Sequence, residues 1–233
     1  MSVVNKTLEE KLLSTLKQSL IASCQPVDNG PMDKVEHVVA MALAAVDGGA
    51  KGLRIEGVDN VRAVAKATST PIVGIVKRDL DDSPVRITPF IKDVEALAEA
   101  GASIIAFDGT DRLRPVARLT LLNAVHEHGC VAMADCADYD TGMMLAKHGC
   151  TFIGSTMSGY VDLANTPTTP DYDLVSKWVA QGINVIAEGR YNSPERAAKA
   201  IELGALSVTV GSAITRVEHI TQWFVGSIDS AKK

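Results

Sequence analysis

The sequence predicts an α/β fold, a single (β/α)8 barrel with an extra N-terminal helix, in which residues 1–233 form one domain. Three observations carry this prediction. Short β-branched or apolar runs bounded by turn residues recur eight times along the chain. A stretch with helical periodicity separates each run from the next. Several of these stretches end in an apolar–Gly joint just before the following run, as at Gly48-Gly49-Ala50, Ala100-Gly101-Ala102, His128-Gly129, His148-Gly149 and Leu203-Gly204-Ala205. Glycine reaches the left-handed conformation that stops a helix without a Cβ clash. Neither a linker nor a composition break divides the chain, and a doubly wound sheet of five or six strands would leave about two βα units unassigned.

Taken in order, residues 1–18, and Leu8 to Leu16 above all, predict a helix that closes the bottom of the barrel. The strands follow at Leu20–Cys24, Gly52–Glu56, Ile72–Lys77, Ser103–Asp108, Val131–Asp135, Thr151–Ser155, Asn184–Glu188 and Ser207–Gly211. Between them the helical period is clearest in Val35–Val46, Ile91–Ala100, Arg118–His128, Asp140–Lys147, Leu174–Ala180 and Glu195–Leu203. Ser193-Pro194-Glu195 adds a start signal, with an N-cap hydroxyl, a proline at the first helical position and an acid in the first turn.

Composition excludes several function classes. With 46% hydrophobic residues, the 233-residue chain buries a substantial core without disulfide staples. A formal charge of −5 and 10 aromatic residues (Phe 4, Tyr 4, Trp 2) provide no basic face or stacking stripe for nucleic acid. Apolar runs are broken by charges or glycines before the ~18 residues a membrane helix needs, and the first twenty positions lack an apolar signal segment, so a cytoplasmic protein is expected. Cys24, Cys130, Cys136 and Cys150 show no metal-ligand spacing and read as reduced, buried thiols. The five histidines, His37, His126, His128, His148 and His219, fall on helices or helix ends and read as surface positions.

In such a barrel the chemistry sits at the carboxyl ends of the strands. Those ends hold Gln25, Arg54, Glu56, Lys77, Arg78, Asp108, Asp135, Ser155, Thr156, Glu188, Arg190, Gly211 and Ser212, a concentration of charge after almost wholly apolar runs. By alternation Lys77 shares a face with Val73 and Ile75, and Glu188 with Asn184 and Ile186; alternation alone does not say whether these faces point inward. Glu188-Gly189-Arg190 after the seventh run and Gly211-Ser212-Ala213-Ile214 after the eighth resemble the turns at which barrels hold phosphate, and Arg216 follows within a turn. A lysine, a glutamate and a phosphate grip suggest proton chemistry on a small sugar phosphate. For Lys77 to act as a base its pKa must be lowered by burial or by neighbouring cations, for which Arg54 and Arg78 are the candidates. The alternative is a fixed ammonium that binds an oxygen or pairs with Asp135. The loops bearing Asp81-Asp82 and Asp111-Arg112-Leu113-Arg114-Pro115 either face solvent or cover substrate.

Eight stretches, Ile21–Gln25, Leu53–Gly57, Gly74–Arg78, Phe107–Pro115, Met133–Asp135, Ser158–Tyr160, Ala187–Arg190 and Val210–Arg216, resemble in order the motifs of the N-acetylmannosamine-6-phosphate 2-epimerase family, from about residue 19 to residue 224. The resemblance implies an isomerase of sialic acid catabolism that uses neither metal nor cofactor and interconverts N-acetylmannosamine 6-phosphate and N-acetylglucosamine 6-phosphate. By motif, Lys77 resembles the base that removes the C2 proton and Glu188 its acidic partner. Asp135 resembles a residue that orients Lys77 and sugar hydroxyls, Gln25 and Arg54 resemble substrate-binding positions, and Arg216 with the backbone of Gly189, Arg190, Gly211 and Ser212 resembles the phosphate grip. One-base and two-base proton transfer both remain open. Val161 stands where the family usually has threonine and Met157 where it usually has leucine, which removes a hydroxyl from the sixth loop. The expected partner is a small-molecule sugar phosphate, and a homodimer is the default for such barrels. Two other classes use similar parts: a Schiff-base aldolase on a sugar phosphate, and a non-catalytic sugar-phosphate-binding barrel.

Overall fold

The structure, a computed structural model, describes residues 5–232; residues 1–4 of the expected N-terminal helical segment lie outside the described residues. Eight parallel strands close into a barrel in sequence order: β1 Ser19–Cys24, β2 Gly52–Glu56, β3 Ile72–Ile75, β4 Ile104–Asp108, β5 Val131–Asp135, β6 Phe152–Gly154, β7 Val185–Glu188 and β8 Ser207–Val210. The expected (β/α)8 class is therefore the observed one. Helix α1 (Lys6–Leu16) precedes β1, and α2 (Val35–Asp47), α3 (Val58–Ala67), α4 (Ile91–Ala100), α5 (Arg118–Glu127), α6 (Tyr139–Lys147), α7 (Tyr172–Val179) and α8 (Pro194–Glu202) join successive strands. Beyond β8 come a single turn, α9 (Ser212–Thr215), and a 15-residue helix, α10 (Val217–Ala231).

Alternation along the strands divides the buried side chains into two sets. One set fills the barrel interior: Ile21, Val73, Ile75, Ile104, Ala106, Val131, Met133, Phe152 and Ile186, with Leu12 and Leu16 of α1 packed in the same cluster. The other faces the helical layer and includes Leu53, Ile55, Ile105, Phe107 and Trp178. The interior set contains Val73, Ile75 and Ile186, so the faces that continue to Lys77 and Glu188 are the inward ones. Gly74 lies on the outward face of β3, where a Cβ would stand 2.9 Å from that of Ala102. This close approach lets α4 sit down on the sheet.

Two boundaries differ from the sequence reading in ways that affect the site. β3 stops at Ile75, not Lys77. The chain then peels away from β4 and pairs with the following loop, through Thr88 N–H to Val76 O at 2.7 Å, Arg78 N–H to Arg86 O at 3.0 Å and an antiparallel bridge of Lys77 to Ile87. Lys77 thus sits on a small hairpin at the barrel mouth. The second difference is α10, which has no buried residue and leaves Trp223, Phe224, Val225 and Ile228 exposed.

The four cysteines are buried and free, and burial pushes the Cys130 thiol up to about 11. His126 corrects the surface reading of the histidines. It lies on the inner side of α5 with Leu122 and Val125, is buried, and has its pKa lowered by that burial. No helix among the described residues is long and apolar enough to cross a membrane.

Candidate active site

Arg54, one residue before the last but one position of β2, points into the barrel and is buried. An unpaired buried guanidinium would be prohibitively costly, and here two carboxylates from across the barrel meet it. Asp135, the last residue of β5, takes Arg54 Nη2 at 2.6 Å and Nη1 at 3.2 Å in a two-pronged pair. Glu188, the last residue of β7, lies 3.1 Å from Nη1. Burial works against the guanidinium's charge, but Asp135 and Glu188 outweigh it and hold the arginine more firmly protonated than usual. Thr156 sits between the carboxylates, its Oγ1 2.6 Å from Asp135 Oδ1 and 3.3 Å from Glu188 Oε2. Gly154 makes room for this arrangement, since a Cβ there would stand 2.6 Å from Met133 Cε and 3.2 Å from Asp135 Oδ1.

Glu188 is the outlier of the pair. Burial pushes its carboxyl up to about 7, the positive field of Arg54 partly opposes this, and the negative charge of Asp135 adds to it. Lys77 is perturbed the other way. Burial first, then Arg216 and Arg54, pull its pKa below the ordinary lysine range, while Glu56 and Asp28 partly restore it. A lysine and a carboxyl group whose environments bring their proton affinities towards each other are suited to proton transfer near neutral pH.

Two expectations about these groups change. Arg78 does not act on Lys77, because its guanidinium turns outward to grip Asp93 on α4, with Nη2 to Oδ1 at 2.6 Å. Arg216 supplies the second cation instead. Asp135 does not pair with Lys77, since its oxygens are taken by Arg54 and Thr156; the carboxylates that act on the lysine are Glu56 and Asp28.

Arg54, Lys77, Thr156, Glu188 and Arg216 line a cavity of about 250 Å³ at the carboxyl ends of the strands, together with Ser23, Gln25, Tyr160, Tyr191, Asn192 and Thr209. One wall is made by two turns. Gly189 at φ 108° and Arg190 at φ 64° put consecutive residues in the left-handed region, which glycine adopts without strain. Across from them Gly211 approaches Ser23 so closely that a Cβ would be 3.3 Å from that of the serine. Among the described residues no backbone hydrogen bond uses the amides of Gly189, Arg190, Gly211 or Ser212. Arg216 is fixed over the cavity by its Nε donating to Gln25 O at 2.9 Å, and Gln25 in turn donates from Nε2 to Ser23 Oγ at 2.8 Å. Arg190 contributes only its backbone here. Its guanidinium is buried under the sixth loop, donating to Thr169 O at 2.6 Å and Ser158 O at 2.7 Å beside the Tyr160 ring.

Lys77, Thr156, Tyr160 and Arg216 also border an outer cavity of about 800 Å³. Met157, Val161, Asp108 and Arg112 line it, so the two departures from the family pattern face this outer space and the loop after β4 forms part of its wall. His219 lines it as well, which places one histidine near the site, contrary to the sequence reading. Ser23 and Thr209 are cavity residues that the strand-end reading passed over. Each lies two positions beyond an inward residue, Ile21 and Ser207, so the signal for them was the same alternation that orients Glu188.

Fold and site together define the class: a (β/α)8 barrel with acid–base groups of perturbed proton affinity beside unpaired backbone donors at the mouth of its last two strands. The chain belongs to the family described as "Putative N-acetylmannosamine-6-phosphate epimerase", which it matches over residues 38–230. It is 57% identical to a relative from Pasteurella multocida strain Pm70 over 98% of this chain and 100% of the relative. A relative from Glaesserella parasuis serovar 5 is 58% identical over 98% and 99% of the two chains, and both are described in the same words as 2-epimerases. Among solved structures, the N-acetylmannosamine-6-phosphate 2-epimerase from Clostridium perfringens superposes with a TM-score of 0.89 at 37% identity, covering 93% of this chain and 96% of its own.

Proposed function

We propose that the chain, as a single barrel domain, is an N-acetylmannosamine-6-phosphate 2-epimerase that interconverts N-acetylmannosamine 6-phosphate and N-acetylglucosamine 6-phosphate. The observation that carries the reading is the convergence of Lys77 and Glu188 on the Arg54–Asp135 pair beside the two glycine turns. In the open-chain sugar the C2 proton is acidic because C1 is an aldehyde. Lys77, neutral, takes that proton; the C2–H electron pair moves to form the C1–C2 double bond, and the C1 oxygen becomes an enolate. Arg54, locked by Asp135, provides a fixed positive field at that oxygen. Glu188, protonated below about pH 7, returns a proton to the opposite face of C2 and inverts the centre. No electrons pass to an acceptor in this sequence, so it needs no redox cofactor, and the positive charge at the enolate oxygen comes from Arg54. The amides at Gly189, Arg190, Gly211 and Ser212, with Arg216, hold the phosphate.

Proton NMR in deuterated buffer tests the reading. N-acetylmannosamine 6-phosphate is expected to give N-acetylglucosamine 6-phosphate bearing deuterium at C2; absence of both conversion and exchange would refute it. Arg216→Ala is expected to weaken phosphate binding by about 1.5–3 kcal/mol, the range for a hydrogen bond to a charged group, seen as a raised KM. Equal turnover of phosphorylated and unphosphorylated sugar would remove the phosphate grip from the mechanism.

The reading extends to amino-sugar and sialic acid catabolism in the cytoplasm, as the family resemblance implies, and to a homodimer. Support for the dimer comes from α10, whose apolar side chains are exposed, and from an apolar groove between α2 and β1 lined by Leu20, Ala22, Met41, Ala45 and Ile214. A second copy of the chain would cover both. Sedimentation equilibrium is expected to give twice the chain mass, and a doubly substituted Phe224→Glu, Ile228→Glu protein to sediment as one chain. A parent protein that stays monomeric at micromolar concentration would rule the dimer out.

A further inference from the structure

Thr209 is a cavity-lining hydroxyl on the strand that leads into the phosphate turn, and its surroundings within the protein do not account for it. It lies on β8, in register with Glu188 of β7 on one side and with Ile21 of β1 on the other. Its residue is 3% exposed, yet Oγ1 meets no hydrogen-bonding partner among the described residues. The small hydroxyls of the adjoining strand ends are engaged. Ser207, one layer down the same face, donates to Ser19 O at 2.8 Å; Ser23 accepts from Gln25; Thr215 donates to Ser23 O at 2.7 Å; Thr156 bonds Asp135. A buried hydroxyl without a partner destabilises a fold relative to the valine of nearly the same shape. Thr209 lines the cavity that Arg54 and Glu188 also line.

We propose that Thr209 is a substrate-binding residue that hydrogen-bonds the hydroxyl on C3, the carbon next to the reacting centre. The assignment rests on the epimerase reading above. Thr209 stands two residues before Gly211, which at the rise of a parallel strand puts it roughly 6.6 Å deeper than the phosphate turn. Five bonds lead from the phosphorus to C3 of an extended sugar phosphate, a comparable span, and C2 then falls beside Glu188, the register neighbour of Thr209. Through this contact the strand that carries the phosphate turn also fixes the rotation of the C2–C3 bond, and with it the face that C2 presents to Lys77 and Glu188.

The test compares the full-length protein with Thr209→Val and Thr209→Ser, using N-acetylmannosamine 6-phosphate and its 3-deoxy analogue. Thr209→Val is expected to melt at the same or a higher temperature, because no internal hydrogen bond is lost, while kcat/KM falls ten- to a hundredfold. Thr209→Ser keeps kcat/KM within a few-fold. With the parent protein the 3-deoxy analogue loses a factor similar to that of Thr209→Val, and with Thr209→Val it loses little more. Unchanged kcat/KM in Thr209→Val, or a lowered melting temperature with intact kinetics, would show a hydroxyl with a purely structural partner and overturn the assignment. Independent penalties from the substitution and the deoxy analogue would also overturn it. A parent protein that fails to epimerise N-acetylmannosamine 6-phosphate at all would instead be the failure of the epimerase reading.

Discussion

The Lys77→Arg protein is expected to fold and to bind N-acetylmannosamine 6-phosphate, yet to lose both epimerisation and exchange of the C2 hydrogen with deuterated solvent. The argument turns on which state of the side chain the reaction needs. A binding ammonium is partly replaceable by a guanidinium, whereas a base must shed its proton near neutral pH, which arginine effectively cannot do. The surroundings of Lys77 are those of a base: burial, then Arg216 and Arg54, draw its pKa down, against the smaller opposing pull of Glu56 and Asp28. General-base assistance is worth roughly 10²–10⁴-fold, so the loss should greatly exceed that of a binding defect. The sign of the pH dependence follows. Neutral Lys77 together with protonated Glu188 is the active combination in this direction, so the parent rate is bell-shaped in pH, with one limb set by the lowered lysine pKa and the other by Glu188 at about 7. Arg216→Ala removes one of the depressing cations and should move the lysine limb to higher pH, in addition to its effect on KM. Near-normal turnover and exchange in Lys77→Arg would make Lys77 a binding residue and shift the search for the base to Glu188 or Asp135.

Much of this arrangement is legible in the sequence because a barrel repeats one rule eight times. Turn-bounded β-branched runs locate the strands to within a residue or two, and the strand ends then name Arg54, Asp135 and Glu188 before any geometry is known. What sequence leaves open is how side chains from different strands partner one another. Asp135 is as near to Lys77 as to Arg54 in a strand-end inventory, and only the closed barrel sets it against the guanidinium at 2.6 Å. Arg78 is adjacent to Lys77 in sequence yet points to Asp93, because the chain has left β3 and neighbours alternate across the hairpin. Arg216, far away in sequence, acts on Lys77 because β8 closes against β1 and its guanidinium is tied to Gln25. The cavity hydroxyls Ser23 and Thr209 escape for another reason: on a strand surrounded by apolar residues a small polar side chain reads as tolerated rather than placed. His126 follows the same logic, since its place on the inner side of α5 depends on which face of that helix the barrel covers.

Glu188→Gln separates the two faces of the reacting carbon. Glutamine has nearly the shape of glutamic acid and can keep the contact with Thr156, but it has no acid proton to deliver. If Lys77 serves one face of C2 and Glu188 the other, this variant forms the enolate and returns the proton only from the lysine side. Epimerisation should fall by roughly 10²–10⁴-fold. Meanwhile one substrate epimer should still acquire deuterium at C2 without changing configuration, at a rate within about tenfold of the parent, while the other stays unlabelled. Loss of exchange with both epimers would mean that Glu188 is needed to form the enolate at all, and retention of epimerisation would remove it from the mechanism. A stability measurement guards against the trivial explanation of a damaged barrel. Burial holds the Glu188 carboxyl at about 7 in the folded protein, against about 4.3 in an unfolded chain. As pH rises between these values the unfolded chain loses a proton that the folded protein retains, so this group makes the parent progressively less stable over that window, and the loss is complete above pH 7. Glutamine has no such titration. The melting temperature of Glu188→Gln relative to the parent should therefore increase from pH 5 to pH 8, and a difference that stays constant with pH would show that the carboxyl is not held in its neutral form.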